Sequence, residues 1–198
     1  MNVLTMPARP YDDQRPGTSG LRKPVAIFRQ PHYLENYLQA IFETVGGGAN
    51  RTLVIGGDGR FFNREAIQTA SRMAAANGYK HLVVGRAGLL STPAASHLIR
   101  KRGASGGLIF SASHNPGGPE GDFGIKYNSA NGGPASETLS RAIYARSKRI
   151  VAYRLVDEPD IDIDRLGKVS LGETEVEVVD PVSDYAELME TLFDFLPD

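Results

Sequence analysis

The feature that most constrains the fold of this chain is a regular alternation of short apolar runs with longer amphipathic segments. Short apolar runs are typical of buried strands, whereas apolar side chains that recur every three or four residues are typical of helices. Strands that alternate with helices favour βαβ units, and therefore a largely parallel sheet with helices packed on it. The predicted strands are 25–29, 52–55, 81–84, 107–110, 123–127 and 173–179, and the predicted helices are 33–45, 63–78, 92–102, 136–148 and a last one starting near 180.

The two ends of the chain depart from this alternation. Residues 1–15 are polar and contain prolines, so we expect an extended N-terminal arm, followed by a domain spanning 16–180. Within that domain, 157–172 is acidic and is expected to be irregular. Residues 181–198 are predicted to begin as a helix with one apolar side. Because such a side needs a cover, we expect this helix to lead toward a second domain.

Composition excludes several classes of protein. A net charge of -1 leaves no basic surplus to neutralise a nucleic-acid backbone. The chain has no cysteine, so disulfides and thiolate metal sites are excluded, which fits a reducing compartment. No apolar run approaches the roughly 20 residues of a membrane helix, and the start does not resemble a signal peptide. We therefore predict a cytoplasmic protein without a nucleic-acid or membrane partner.

The segment with the most chemical information is the loop 111–118, which directly follows the apolar run 107–110. Ligands of open parallel sheets bind beyond the carboxyl ends of strands, so Ser113 is expected to be exposed there. Glycines in the loop allow backbone N–H groups to approach an anion, which favours a serine that carries or binds phosphate. A polar turn is the alternative interpretation. A serine–histidine pair with His114 is disfavoured, because adjacent side chains rarely face each other and no local carboxylate orients the imidazole.

Two basic residues are candidates for binding an anion. Lys126 lies between two apolar residues of a strand, so alternation places it on the opposite face, where it would supply positive charge and a movable proton. A solvated surface lysine is the alternative. Arg22 follows the hydroxyls of Thr18 and Ser19, and arginine binds phosphate with two hydrogen bonds. Asp58 follows a buried strand, but one carboxylate cannot hold Mg²⁺ alone, so we interpret it as a turn residue.

Several separated motifs resemble those of the α-D-phosphohexomutases. Residues 111–116, Ser-Ala-Ser-His-Asn-Pro, resemble the active-serine loop of that family, and 16–23 resemble its N-terminal loop. Residues 121–126 and 131–134 look like the phosphoglucomutase branch. The resemblance covers nearly the whole chain. It implies the first of four domains, an α/β domain whose mixed, mostly parallel sheet is sandwiched by helices.

The resemblance also implies a reaction. The serine of this loop, here Ser113, is phosphorylated in the resting enzyme and donates its phosphoryl group to glucose 1-phosphate. The resulting glucose 1,6-bisphosphate, which is also the activator, returns its other phosphoryl group to the serine and leaves glucose 6-phosphate. Mg²⁺ binds an oxygen of phosphorylated Ser113, the sole metal ligand expected from this chain, and neutralises charge as the phosphoryl group moves.

Residue roles are carried over by the same resemblance. His114 and Asn115 shape the serine loop, Arg22 lines the reacting centre, and Lys126 is the candidate for proton transfer. The catalytic residues implied are Ser113, His114, Lys126 and Arg22, and the phosphate-binding residues implied are Thr18, Ser19, Arg22, Asn115 and Lys126. The partners implied are a hexose phosphate substrate and the remaining domains of the same polypeptide.

Three parts of the family's active site do not occur in this sequence. These are the Asp-Gly-Asp-x-Asp metal loop, the sugar-recognition loop with paired glutamates, and the arginine- and serine-rich phosphate clamp. We therefore expect the isolated chain to have little or no mutase activity. The alternatives are a mutase domain for mannose or glucosamine phosphates, a non-catalytic phosphoprotein of the same fold, and a serine hydrolase.

Overall fold

The computed structural model describes residues 2–195 as nine strands and six helices. The strands are β1 (Val3–Pro7), β2 (Leu21–Pro24), β3 (Thr52–Gly57), β4 (His81–Leu89), β5 (Gly106–Phe110), β6 (Asp122–Ser129), β7 (Ala152–Val156), β8 (Gly167–Leu171) and β9 (Thr174–Val179). The helices are α1 (Val25–Phe28), α2 (Tyr33–Thr44), α3 (Asn63–Ala76), α4 (Thr92–Lys101), α5 (Glu137–Ser147) and α6 (Ser183–Leu192).

The main sheet has seven strands in the order β2-β6-β5-β3-β4-β9-β8. Its central strands β5, β3, β4 and β9 run parallel to their neighbours in this group. The borders are antiparallel, because β6 pairs antiparallel with both β5 and β2, and β8 pairs antiparallel with β9. The connections between β5 and β6 and between β8 and β9 hold no helix, and strands joined in this way pair antiparallel. The expected mixed sheet with a parallel centre is confirmed.

Helices cover both faces of this sheet, as expected. On one face, alternate side chains such as Leu53, Ile55 and Phe110 belong to the larger core, which includes the apolar sides of α2 and α3. On the other face, Val54 and Ile109 pack with α4 in a smaller core. Helix α5 contacts α2, and α6 contacts α4. The period-two alternation of the strands therefore supplies both cores.

One predicted strand is wrong. Residues 25–29 were expected to be extended, but the structure has β2 before them and the short helix α1 in their place. Val25 and Phe28 are both buried, and side chains three residues apart share one face of a helical turn, not one face of a strand. Pro24 precedes the helix with φ -52°, a value that its ring favours and that suits the turn. The β-branched residues of this run favoured the wrong interpretation.

Both ends of the chain contact the body of the domain. The predicted arm contains β1, which pairs antiparallel with β7 in a separate two-stranded sheet, with Val3 opposite Val156. In the segment 157–172, expected to be irregular, β8 forms an edge strand. The predicted C-terminal helix is confirmed over α6, while 196–198 lie outside the described residues. The division into domains stays a prediction. No helix among residues 2–195 is long and apolar enough to cross a membrane.

Candidate active site

The loop that carries Ser113, here called the serine loop (residues 111–122, counting the first residue of β6), connects β5 to β6 at the carboxyl edge of the parallel strands. The Ser111 amide donates to the carbonyl of Gly124 at 2.9 Å, and the Asp122 amide donates to the carbonyl of Pro116 at 2.8 Å. Ser113 is exposed and has φ 59°, in the left-handed region that few non-glycine residues adopt. Backbone strain of this kind concentrates at functional sites. The structure thus presents the predicted serine as the sequence led us to expect.

A glycine in β6 allows the serine loop to cross the sheet edge closely. A Cβ at Gly124 would lie 2.4 Å from the carbonyl oxygen of Ser111, so any larger residue would push the loop away. Arg22 of β2 is directly opposite Gly124 in the antiparallel register. Lys126 lies two residues further along β6, and therefore on the same face as Gly124 and Arg22. The sheet itself brings both predicted basic residues to the start of the serine loop.

Lys126 is partly buried and has a perturbed pKa. Burial lowers its pKa below the ordinary value of 10.5, and the positive charge of Arg22 lowers it further. The carboxylate of Asp58 raises the pKa of Lys126, and the positive charge of Arg60 lowers it. Four charged groups, including Lys126 and Arg22, therefore lie close together at this edge. A lysine with a lowered pKa is neutral in a larger fraction of molecules, which suits it to accept a proton.

Arg60 is a site residue that sequence reasoning missed, and Asp58 was interpreted only as a turn residue. The guanidinium of Arg60 donates to the carbonyl of Ser113 at 3.0 Å and to that of Asp122 at 2.7 Å. It also pairs with Asp58 at 2.9 Å. Burial alone would raise the pKa of Asp58, but hydrogen bonds from Arg60 and Ser111 outweigh it and the pKa is lowered. The sequence signal that could have found them is their position directly after β3, because β3 lies beside β5, the strand that leads into the serine loop.

Asn115 and His114, the two residues predicted to shape the serine loop, differ in their surroundings. The Asn115 side chain donates to the carboxylate of Asp122 at 2.6 Å, and its amide donates to the carbonyl of Ala112 at 3.2 Å. These two bonds tie the middle of the loop to its start and to its end. His114 is exposed on the same loop, and its role toward a phosphoryl group stays a prediction.

Thr18 and Ser19 lie further along the sheet edge than the serine loop. They form the exposed tip of a tight turn closed by the Gly17 amide, which donates to the carbonyl of Gly20 at 2.9 Å. Both residues line a cavity of about 330 Å³ together with Lys126 of β6. Lys126 therefore joins the two predicted phosphate-binding regions, while Thr18 and Ser19 are not in contact with the serine loop by any hydrogen bond among the described residues.

The part of the chain that the structure describes contains no group of three or more histidine, aspartate or glutamate side chains that could hold a metal ion. Ser113 has an exposed hydroxyl and therefore fits the role of one ligand to a cation once it is phosphorylated. The carboxylate of Asp58 is already paired with Arg60.

Comparison with known proteins gives a consistent family. The family model described as phosphoglucomutase/phosphomannomutase, alpha/beta/alpha domain I, matches residues 13–154. The phosphoglucomutase of Rhizobium radiobacter is 58% identical over 98% of this chain and 36% of its own length. The phosphoglucomutase of Schizosaccharomyces pombe is 53% identical over 98% of this chain and 35% of its own length. The chain thus spans about a third of the length of the curated relatives it matches.

Solved structures agree with this result. The exocytosis-sensitive phosphoprotein pp63/parafusin (phosphoglucomutase) from Paramecium, in its open form, superposes with a TM-score of 0.92 at 46% identity, covering 98% of this chain and 37% of that one. A putative phosphomannomutase from Thermus thermophilus superposes with a TM-score of 0.67 at 28% identity, covering 96% and 37%. The family match spans most of the chain, including the serine loop and both basic residues beside it. The chain therefore belongs to the phosphoglucomutase/phosphomannomutase family, as its α/β/α domain I.

Proposed function

We propose that this chain is the phosphoserine-bearing first domain of a longer phosphoglucomutase, called the intact protein below, which interconverts glucose 1-phosphate and glucose 6-phosphate. The observation that carries the proposal is the position of Ser113. Its exposed side chain lies at the carboxyl edge of the sheet, on a strained and heavily hydrogen-bonded loop beside Arg22 and Lys126. The high identity to proteins named phosphoglucomutase supports the choice of sugar.

In the proposed reaction, the bond between phosphorus and the Ser113 oxygen breaks as a bond to O6 of glucose 1-phosphate forms. Lys126 accepts the proton of that hydroxyl and passes it to the Ser113 oxygen as this leaves, so charge and atoms balance. Glucose 1,6-bisphosphate then turns over and returns its other phosphoryl group to Ser113. The lowered pKa of Lys126 supports this assignment, because a neutral amine is needed at the start.

The remaining residues hold charge and shape. Arg22, on the same face as Lys126, would bind phosphoryl oxygens with two hydrogen bonds. Thr18 and Ser19 would bind a phosphate or sugar hydroxyl at the far side of Lys126, in the cavity they share with it. Asn115 keeps the serine loop closed through Asp122, and His114 would donate to the phosphoryl group.

Magnesium is the cofactor we propose, with phosphorylated Ser113 as the one ligand from this chain. Bound there, Mg²⁺ would neutralise charge on the moving phosphoryl group. The chain's own part is to present the phosphoserine oxygen at the exposed sheet edge and to keep Asp58 away from the cation through its pair with Arg60. The other ligands would come from the remaining domains, so we propose that the isolated chain is inactive.

A mutase for mannose or glucosamine phosphates is the second candidate. The family model covers phosphomannomutases as well, and the Thermus relative is named a putative phosphomannomutase. Rates of the intact protein on each hexose phosphate separate the two candidates. We also propose a cytoplasmic location. It is a proposal and not a finding, because the similar protein of Arabidopsis thaliana is named chloroplastic.

The central experiment removes the Ser113 hydroxyl. In the intact protein, we expect Ser113→Ala to lower kcat by more than about 1,000-fold, because no other group can carry the phosphoryl between half-reactions. Intact mass should show one added phosphate after incubation with glucose 1,6-bisphosphate, and none in Ser113→Ala.

Ser170→Ala, which alters an exposed serine of β8, is the matched control and should change neither result. Undiminished activity of Ser113→Ala would refute the proposal. Labelling of Ser113 by phosphonyl-transfer reagents without stable phosphoserine would favour a serine hydrolase instead.

A further inference from the structure

Arg60 makes an unusual set of contacts for a basic residue at a phosphate site. Its side chain is only 8% exposed. One terminal nitrogen donates to the carbonyl of Ser113 at 3.0 Å and the other to the carbonyl of Asp122 at 2.7 Å. Nε donates to the carboxylate of Asp58 at 3.0 Å. All three nitrogens of the guanidinium are thus bonded within the protein, and two of the bonds reach the reactive serine and the end of its loop.

These bonds leave Arg60 little capacity to bind substrate. A guanidinium has five N–H donors, and its planar shape fixes their directions. Here those directions point to two main-chain carbonyls and one carboxylate, whereas Arg22 lies on a strand face beside Lys126. Asp58 also balances the charge of Arg60, which a phosphate would otherwise do. The geometry therefore assigns Arg60 to the protein's own loop.

A second chain of bonds runs from the same aspartate to the serine. The Asp58 amide donates to the carbonyl of Phe110, the last residue of β5, at 3.1 Å. The buried Ser111 hydroxyl helps to lower the pKa of the Asp58 carboxyl, and the amide of Ser113 donates to the Ser111 oxygen at 3.0 Å. The peptide groups on both sides of the Ser113 Cα are therefore held by contacts that lead back to the Asp58–Arg60 pair. These contacts maintain the left-handed φ of Ser113, which is 59°.

We infer that Arg60, anchored by Asp58, is a positioning residue that fixes the Ser113 oxygen in line for phosphoryl transfer; this inference rests on the function proposed above. Transfer in line requires the donor and acceptor oxygens to be aligned, and a displacement of about 1 Å can cost on the order of 100-fold in rate. This role needs no contact of Arg60 with the phosphoryl oxygens or the sugar, because its guanidinium nitrogens are bonded to the protein. Its loss therefore affects kcat and leaves binding of the hexose phosphate largely intact.

The test uses the intact protein with three variants. Arg60→Lys keeps the charge, but its single nitrogen cannot replace the three guanidinium nitrogens that reach the two carbonyls and Asp58. Asp58→Asn keeps Arg60 but weakens its anchor. Arg64→Met is the matched control, because Arg64 lies four residues further on, is 52% exposed and pairs with the exposed Asp164. Arg60→Lys should lower kcat by about 100-fold with KM for glucose 1-phosphate changed less than about threefold. Asp58→Asn should lower kcat less, and Arg64→Met should leave both constants unchanged.

Hydrogen exchange of the Ser113 and Asn115 amides gives a readout that does not depend on turnover. Both amides are bonded within the loop and should exchange faster in Arg60→Lys, while amides of β3 and β5 keep their protection. A tenfold rise in KM with unchanged kcat would overturn the inference, because Arg60 would then be a substrate ligand. Unchanged kcat and unchanged exchange would overturn it as well. If Ser113→Ala stays active, it is the proposed function that fails; if Ser113→Ala is inactive and Arg60→Lys is not, only the positioning role fails.

Discussion

The serine loop and the segment 157–166, here called the strap, are both irregular and are both held from the region of α3, but by different means. Arg60, just before α3, bonds main-chain carbonyls of the serine loop. Arg64, Gln68 and Arg72 project from α3 at a spacing of one turn and bond the strap. Beneath these contacts, Ile161 and Ile163 of the strap are buried in the larger core.

The difference shows how a helix and the turn that precedes it can serve stability and function separately. In the serine loop, hydrogen bonds fix the conformation of an exposed and strained serine, and the apolar burial is limited to the small side chain of Ala112. In the strap, two isoleucines supply the burial that makes a segment without regular structure adhere to the domain. We therefore expect substitutions in the strap to act mainly on the free energy of unfolding, and substitutions in the serine loop to act mainly on activity.

The largest effect on stability should come from Ile163→Ala. Its side chain is fully buried, and its removal leaves a cavity under the strap, so the free energy of unfolding should fall by about 2–4 kcal/mol. Urea unfolding of the chain measures this. Leu166→Ala is the matched control, because Leu166 is 47% exposed in the same strap and should cost less than about 0.5 kcal/mol. Equal effects of the two variants would show that the strap does not depend on its buried isoleucines.

Gln68→Ala should have the next largest effect. Its side-chain nitrogen donates to the carbonyl of Ile161 at 2.8 Å, and the Ile161 amide donates to its side-chain oxygen at 3.0 Å. Because these groups are buried, loss of the side chain leaves a donor and an acceptor unpaired, at about 1–3 kcal/mol. Urea unfolding is again the measurement. Arg64→Met breaks an exposed ion pair to the same strap and should leave the unfolding midpoint unchanged. If Arg64→Met lowered the free energy of unfolding more than Gln68→Ala, the exposed ion pair would contribute more to stability than the buried hydrogen bonds, contrary to this prediction.

The alternation of strands and helices was predictable because it is local. The predicted helix 33–45 corresponds to α2, and the predicted strand 52–55 lies within β3, since each buries one face whose period is visible in the sequence. The run 25–29 was too short for its period to distinguish a helical turn from a strand. The pairing of β1 with β7 joins residues more than a hundred positions apart, and no local pattern indicates such a partner.

The candidate site divides in the same way. Ser113 and Lys126 were predicted because strand ends and side-chain alternation are local properties. Arg60 was missed because its partners, the carbonyls of Ser113 and Asp122, become neighbours only when β3 and β5 pair. Asp58 was interpreted as a turn residue, and its carboxylate does accept from the Arg60 amide at 3.2 Å in the turn after β3, but the same carboxylate has the second task of anchoring the Arg60 side chain.

Strain in the serine loop can be measured by Ser113→Gly. A non-glycine residue in the left-handed region costs about 1–2 kcal/mol, and glycine relieves this while adding entropy to the unfolded chain. We expect a net gain of about 0.5–1 kcal/mol in the free energy of unfolding, with activity of the intact protein lost. Ser113→Ala should give no such gain. Ser170→Gly in β8 is the control and should lower stability, because glycine weakens a strand. A destabilised Ser113→Gly would show that the loop stores no strain at this position.

The smallest effect should come from Lys126→Met, and it should depend on pH. Burial and the charges of Arg22 and Arg60 lower the pKa of Lys126 in the folded domain below 10.5, so the charged lysine opposes folding. This penalty is fully present at pH values below the lowered pKa and disappears as pH rises toward 10.5, where the unfolded chain also loses the proton. Lys126→Met should therefore stabilise the domain modestly at pH 7, since the side chain is partly exposed and screened.

Thermal unfolding of the chain at several pH values measures this gain, and Lys168→Met in β8 is the control, because Lys168 is 64% exposed and pairs with Glu175 at 3.0 Å. The gain of Lys126→Met should shrink as pH rises, whereas Lys168→Met should give no gain at any pH. The same Lys126→Met change should lower kcat of the intact protein, because no amine remains to accept the sugar proton. Loss of stability at pH 7 would mean that Lys126 supports the fold, and the contrast between a serine-loop edge built for activity and a strap built for stability would fail at this residue.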